Sequence, residues 1–264
     1  MDAFLLRALA RIFTLSGVLL IFAASQIFWF RRMGELFERW IPRRSHRWWL
    51  GGGLFAGYAA LFVANIYFRR TFGETPYLSL RHIFITAPFT VWAIGSVLGF
   101  LLVVALKVPF FLAEVFRWIA ARLGSRSAAA LVSPQGVLSP DRRAFLHRSV
   151  YAAGTLPFFG VLYGFLYERL NFETTSVKIP LPSLPGEFHG FRIAQLSDVH
   201  IGGFMTERQI RQVVEQVNAL KPDLVALTGD YVTWDASTQK EVVAALSGLK
   251  APYGVVGCLG NHEG

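Results

Sequence analysis

Four stretches of the chain carry no charged residue for long enough to cross a bilayer: Ile12 to Phe30, Trp48 to Phe68, Ile83 to Leu106 and Val150 to Tyr167. A helix rises 1.5 Å per residue, so about 20 apolar residues span a hydrocarbon core. Runs that are apolar on every helical face suit lipid better than water. From Glu168 onward no such run recurs, and charged residues appear at the density of an ordinary water-exposed domain. The pattern divides the chain into a multi-helix transmembrane anchor of about four helices over residues 1–170, an extended linker over 171–190, and a globular segment over 191–264.

The formal net charge of +9 would suggest a nucleic-acid partner in a soluble protein, but here the arginines stand in the short loops between apolar runs. Arg31, Arg32, Arg39, Arg43, Arg44 and Arg47 follow the first run, and Arg117, Arg122, Arg126, Arg142, Arg143 and Arg148 precede the fourth. The loop between the second and third runs has only Arg69, Arg70 and Arg81. The positive-inside rule then puts the first and third loops in the cytoplasm and sends the amino terminus and the globular segment outward. The globular segment has no basic stripe, so no nucleic acid is expected.

Three of the runs contain glycines four apart, Gly53 with Gly57, Gly95 with Gly99 and Gly160 with Gly164, a spacing that lets helix backbones approach in lipid. The triple glycine Gly51 to Gly53 is not followed by the lysine and hydroxyl residue of a phosphate loop. Ahead of the fourth run, "SPDRRAFLHRSV" resembles a twin-arginine export signal, with Asp141 where a serine or threonine is usual and His147 where a lysine is usual. The same two arginines also serve as a cytoplasmic helix anchor, and both readings send the globular segment outward.

Pro180, Pro182 and Pro185 disfavour helix and make the connector extended. Beyond it the periodicity alternates. Phe191 to Leu196 reads as a strand, Thr206 to Leu220 as a helix with Ile210, Val213, Val214, Val217 and Leu220 on one face, and "PDLVALTGD" as a second strand. A second helix carries Val242, Leu246 and Leu249 inward, and "YGVVGCLGNHE" is a third strand. Thr206 with Gln209, and Thr238 with Glu241, have capping-box spacing at the two helix starts. This βαβαβ order, with right-handed crossovers, makes the strands parallel neighbours. Cys258, the single cysteine, forms no internal disulfide and reads as a small buried side chain in an apolar strand.

Each strand ends in polar residues: Asp198 and His200, then Gly229 and Asp230, then Gly260, Asn261 and His262. In a parallel sheet the carboxyl ends lie side by side, so these residues converge in one crevice. Two carboxylates, two imidazoles and an amide suit divalent manganese, iron or zinc. Glycines before Asp230 and Asn261 suit turns where backbone must come close to another group.

The blocks "SDVHIG", "TGDYV" and "GNHEG" resemble those that open the calcineurin-like metallophosphoesterase family, in its membrane-anchored bacterial branch. The resemblance covers Phe191 to Gly264 and implies the βαβαβ half of a two-sheet sandwich, a partial α/β domain truncated at its carboxyl end. It implies two divalent metal ions in a complete domain, with Asp198 and His200 on the first, Asp230 bridging and Asn261 on the second. His262 would contact the phosphate as general acid or electrostatic stabiliser. Later histidine blocks of the family do not occur before Gly264, and His46, His82 and His147 fall in the membrane region, while His189 reads as a surface residue of the linker. The implied activity is hydrolysis of phosphomonoesters or phosphodiesters, lipid-linked or in the cell envelope, on the outer face of a bacterial inner membrane. A non-catalytic outer segment that binds a phosphate or a partner is the alternative, and a nuclease is disfavoured by the placement of the arginines.

Overall fold

The computed structural model describes residues 3–122, 140–233 and 236–263. Arg126 of the third loop lies outside them. All four apolar runs form long helices: α1 (Ala3–Trp40), α2 (Arg44–Phe72), α3 (Ala87–Arg122), entered through a π-helical turn at His82–Thr86, and α4 (Pro140–Leu166). By length and composition they give four candidate membrane spans: Thr14–Trp40, Arg44–Phe72, His82–Phe116 and Ala144–Leu170. No more than 22% of the most apolar window in any of them is buried, so their apolar surface faces outward. That is the arrangement lipid favours.

The chain divides into two units. The first, Met1–Ala59 with Phe89–Tyr163, is a helical bundle. Its packing uses one of the three glycine pairs. A Cβ on Gly99 would stand 2.3 Å from the Gly154 carbonyl oxygen, and one on Gly95 would stand 2.6 Å from the Phe158 ring. Among the described residues, Gly53, Gly57, Gly160 and Gly164 have nothing within 4 Å of that position, so these two pairs do not serve a close backbone approach there. Gly154, absent from any four-residue pair, supplies the matching surface. Polar side chains add to the bundle: Gln26 Nε2 donates to Ser96 Oγ at 2.8 Å, and the indole N–H groups of Trp29 and Trp92 donate to the Ser96 carbonyl and to Gln26 Oε1. Such bonds tie the helices to one another.

The second unit, Ala60–Pro88 with Gly164–Gly264, holds the α/β segment. Strands β1 (Ile193–Leu196), β2 (Leu224–Thr228) and β3 (Val255–Cys258) form a parallel sheet in that order. They are joined by α5 (Glu207–Ala219) and α6 (Gln239–Leu246). The register pairs Leu196 with Leu227 and Thr228 with Cys258. Leu196, Val225, Val214, Val217 and Leu249 make one core, and Ile201, Ile210, Val232, Val242 and Ala245 make another beside the strand ends.

Three local expectations are corrected. Leu220 caps α5 and is 43% exposed, because the helix ends at Ala219 before its apolar face completes another turn. The Thr206–Gln209 capping box is present, but Thr238 makes no side-chain cap bond: a 3₁₀ turn over Ala236–Thr238 feeds α6 directly. Cys258 is exposed, because β3 is an edge strand and Cys258 lies on the opposite sheet face from the Val225 and Leu227 side that the helices cover.

Candidate metal centre

Beyond the last paired strand residues the first two loops continue side by side. The N–H groups of Asp198, His200 and Ile201 donate to the carbonyls of Gly229, Asp230 and Tyr231 at 3.2, 2.9 and 2.9 Å. An isolated parallel bridge between Ile201 and Val232 closes this extension, and both side chains are buried in the second core. The loops are thus pinned from inside. This matters because Asp198, His200 and Asp230 adopt left-handed backbone, with φ of 55°, 43° and 55°. Non-glycine residues hold such angles only where the surroundings over-determine them, and they concentrate at functional sites.

The two glycines flagged by their position do what a tight approach requires. Gly229 has φ of 87°, and a Cβ there would stand 2.5 Å from Gly260 N. A Cβ on Gly260 would stand 2.1 Å from Asp230 Oδ1. Bare backbone at both positions lets the β2 and β3 loops touch.

His200, Asp230 and His262 bring ligand atoms within 4.8 Å of one another. His200 Nε2 lies 3.9 Å from Asp230 Oδ2 and 3.9 Å from Asp198 Oδ1. Its Nδ1 donates to the Val232 carbonyl at 3.0 Å, and His262 Nδ1 donates to the Thr233 carbonyl at 3.1 Å. A carbonyl only accepts, so both Nδ1 atoms carry hydrogen and the ligand lone pair of each neutral ring is on Nε2. Orientation of a histidine through its other nitrogen is the usual support for a metal ligand. The rings pack edge to face at 4.6 Å. Asp230 is oriented through Oδ1, which accepts the His262 N–H at 3.1 Å. Two imidazoles and a carboxylate without a thiol fit a divalent first-row cation.

Of the expected residues, His200, Asp230 and His262 come together. Asp198 flanks them with a side chain 66% exposed, and Asn261 is exposed in the turn after β3. His189 is exposed. Glu263 had no role read from the sequence. Its carboxylate accepts the backbone N–H groups of Asp230, Tyr231, Val232 and Gly260 at 3.0, 2.6, 3.1 and 2.7 Å, lacing the β2 loop to the β3 loop. Burial would raise its pKa, but these four bonds override it and hold the carboxyl below its ordinary value. A left-handed turn that aims successive N–H groups outward calls for an anion, and the acidic residue beside His262 was the available sign of it.

Carboxylates and imidazoles gathered at the carboxyl ends of parallel strands define an α/β domain able to hold a divalent cation. Comparison with known families is more specific: residues 191–264 match the calcineurin-like phosphoesterase family. The carboxyl-terminal part of the chain is a calcineurin-like metallophosphoesterase domain. The chain is 35% identical over 131 residues to the uncharacterized metallophosphoesterase YkuE of Bacillus subtilis, covering 47% of this chain and 45% of that one. It is 34% identical over 92 residues to the UDP-2,3-diacylglucosamine pyrophosphatase LpxG of Chlamydia trachomatis, covering 34% and 28%. A transmembrane protein with metallophosphoesterase domain from Bos taurus is 34% identical over 89 residues, covering 34% and 20%. The chain spans less than half the length of these relatives. No solved structure matches it significantly.

Proposed function

We propose that the chain carries the anchor and a catalytic segment of a membrane-bound, metal-dependent phosphoester hydrolase. The observation that carries this reading is the His200, Asp230 and His262 group on strand-end loops, with both imidazoles oriented through Nδ1. Residues 1–170 are the membrane anchor, 171–190 the linker and 191–264 the catalytic segment. Asp198, His200 and Asp230 would hold one divalent ion. Asp230 and Asn261 would hold a second. Manganese, iron and zinc all suit the donor set. Such ions supply Lewis-acid polarisation of the phosphoryl oxygens and neutralise charge that develops on them.

The chain's own residues divide the remaining tasks. Gly229 and Gly260 leave room for the β2 and β3 loops to meet. Glu263 keeps Asp230 and Gly260 in register. His262, fixed through Nδ1, would contact the phosphate through Nε2, and as the doubly protonated imidazolium it would stabilise the phosphoryl charge and give the Nε2 proton to the leaving oxygen as general acid.

The substrate class we infer is a lipid-linked or cell-envelope phosphoester on the outer face of a bacterial inner membrane. Three observations support it. The relative LpxG is named for a diacylated nucleotide-sugar substrate. Exposed Phe72, Tyr77 and Tyr167 stand near the ends of candidate spans, where aromatic side chains favour the membrane interface. The connector between α2 and α3 bonds to the segment after His200, which favours placing that connector and the catalytic segment on one side. The Arg142–Arg143 pair in the first turn of α4 is available as an export signal or as a cytoplasmic anchor.

The test is an assay of the full-length protein in detergent against bis-p-nitrophenyl phosphate and lipid pyrophosphates, with single metals added. Metal-dependent turnover supports hydrolysis; tight phosphate or partner binding without turnover replaces it with a binding role. Alkaline phosphatase fused after Gly186 should be active. A fluorescent cytoplasmic reporter at that point would reverse the orientation.

A further inference from the structure

His82 opens the third candidate span, yet it is 1% exposed and sealed against the residues just after His200. Its Nδ1 faces Ser79 Oγ at 2.7 Å and accepts the Ser79 N–H at 3.3 Å, so Nε2 carries the hydrogen and donates to Glu74 Oε1 at 3.0 Å. The same Glu74 oxygen accepts the Gly203 N–H at 3.2 Å. Burial would raise the Glu74 pKa. The His82 and Gly203 hydrogen bonds, with the nearby Arg81 guanidinium, lower it instead, so the carboxylate stays an acceptor. Around this centre the Pro76 carbonyl accepts the Glu207 N–H at 2.9 Å, and Arg169 donates to the Phe204 carbonyl at 3.1 Å. Phe204 packs edge to face on both His82 and Phe165.

The fit leaves no slack. A Cβ on Gly203 would stand 2.2 Å from His82 Nε2, and one on Gly202 would stand 3.2 Å from the Glu74 side chain. Between Gly203 and His200 lie only Ile201, which is fully buried, and Gly202. A shift of the Gly202–Phe204 turn therefore has no flexible, solvent-exposed stretch in which to be absorbed. It must act on His200, whose left-handed backbone needs restraint on both sides. The bonds to the β2 loop restrain it from one side, and the turn gripped by Glu74 and His82 restrains it from the other.

We propose that Glu74 and His82 are positioning residues of the metal centre: they clamp the Gly202–Phe204 turn and through it hold His200 Nε2 toward Asp230. The proposal rests on the reading of His200 and Asp230 as metal ligands. It makes the connector between α2 and α3 a working part of the catalytic segment, which a loop between two membrane spans need not be.

The test uses the full chain in detergent with Glu74→Ala, Glu74→Gln, Gly203→Ala and the pair His82→Ala with Gly203→Ala. The measurements are manganese affinity by calorimetry and hydrogen exchange over residues 199–205. Glu74→Ala and Gly203→Ala should each weaken manganese binding about 10-fold or more, the range for losing an oriented support of a ligand. Exchange should rise over 199–205 and stay unchanged over β2. Glu74→Gln should recover most of the affinity, because its amide oxygen still accepts both N–H groups. Removing the ring in His82→Ala should relieve part of the Gly203→Ala defect. Wild type that binds manganese while folded Glu74→Ala and Gly203→Ala bind it equally well would overturn the clamp alone. Wild type that does not bind manganese at all would overturn the metal-centre reading and the clamp with it. If Gly203→Ala does not fold, the Glu74→Ala and Glu74→Gln pair still decides.

Discussion

Two histidine environments stand within the same unit, and they differ in what the ring nitrogens meet. At His82 both nitrogens have close partners, Ser79 on one side and Glu74 on the other, and the side chain is closed to solvent. At His200 one nitrogen is tied to a carbonyl, while the other faces two carboxylates at 3.9 Å, beyond hydrogen-bond reach, with the side chain 31% exposed. The first arrangement satisfies the ring and locks two segments together. The second orients the ring and leaves carboxylate oxygens around a point where a cation would relieve their repulsion. Burial alone would have ranked the two the wrong way round for function.

The largest effect that could break this contrast is Asp230→Asn. An amide keeps the shape and the Oδ1 contact to the His262 N–H but removes the charge that balances a cation. Turnover should fall to the metal-free background, with metal content lost in parallel. Full metal stoichiometry together with retained turnover would remove Asp230 from the centre and leave His200 no different in kind from His82.

His262→Ala comes next. Its loss as general acid should slow turnover about 100-fold or more, within the usual range for a positioned proton donor. Metal content should stay nearly intact, because His200 and Asp230 remain. Metal analysis of the purified variant decides between roles: loss of the ion would make His262 a ligand, which its place within 4.8 Å of the other two permits.

Much of this was legible in the order of residues. The four apolar runs announce themselves by length, and the strand-end blocks by recurring after each buried strand. The Gly229 and Gly260 positions were legible too, since a glycine directly before a polar strand-end residue has few other uses. Contacts across long separations left no such trace. Glu74 and Gly203 meet across 129 positions, so His82 looked like one more residue of a membrane helix. Glu263 was visible as part of a motif, but its four N–H partners exist only once the β2 loop has turned left-handed. Cys258 sits in an apolar strand and is exposed because it lies on the sheet face the helices leave uncovered, a fact of layer order that strand composition does not carry.

The smallest effect concerns Glu263, and it sharpens the comparison because this carboxylate, like Glu74, serves as an acceptor for backbone N–H rather than as a ligand. Both groups have pKa values held below normal in the folded chain. A depressed carboxyl contributes stability that is fully present above its unfolded value, about 4.3 for glutamate, and disappears as pH falls through the lower folded value. Neither support should therefore weaken between pH 7 and pH 5. Glu263→Gln replaces two charged oxygens with one amide oxygen and an NH₂ that has no acceptor among those four N–H groups. The Asp230 and Gly260 loops should then separate slightly, with metal affinity down about 10-fold at neutral pH, the scale of losing an outer support. Hydrogen exchange at residues 230–232, measured from pH 7 to pH 5, checks it. Wild-type protection that falls between pH 7 and pH 5 would mean that Glu263 is not what holds those loops, and Glu263→Gln should then change nothing.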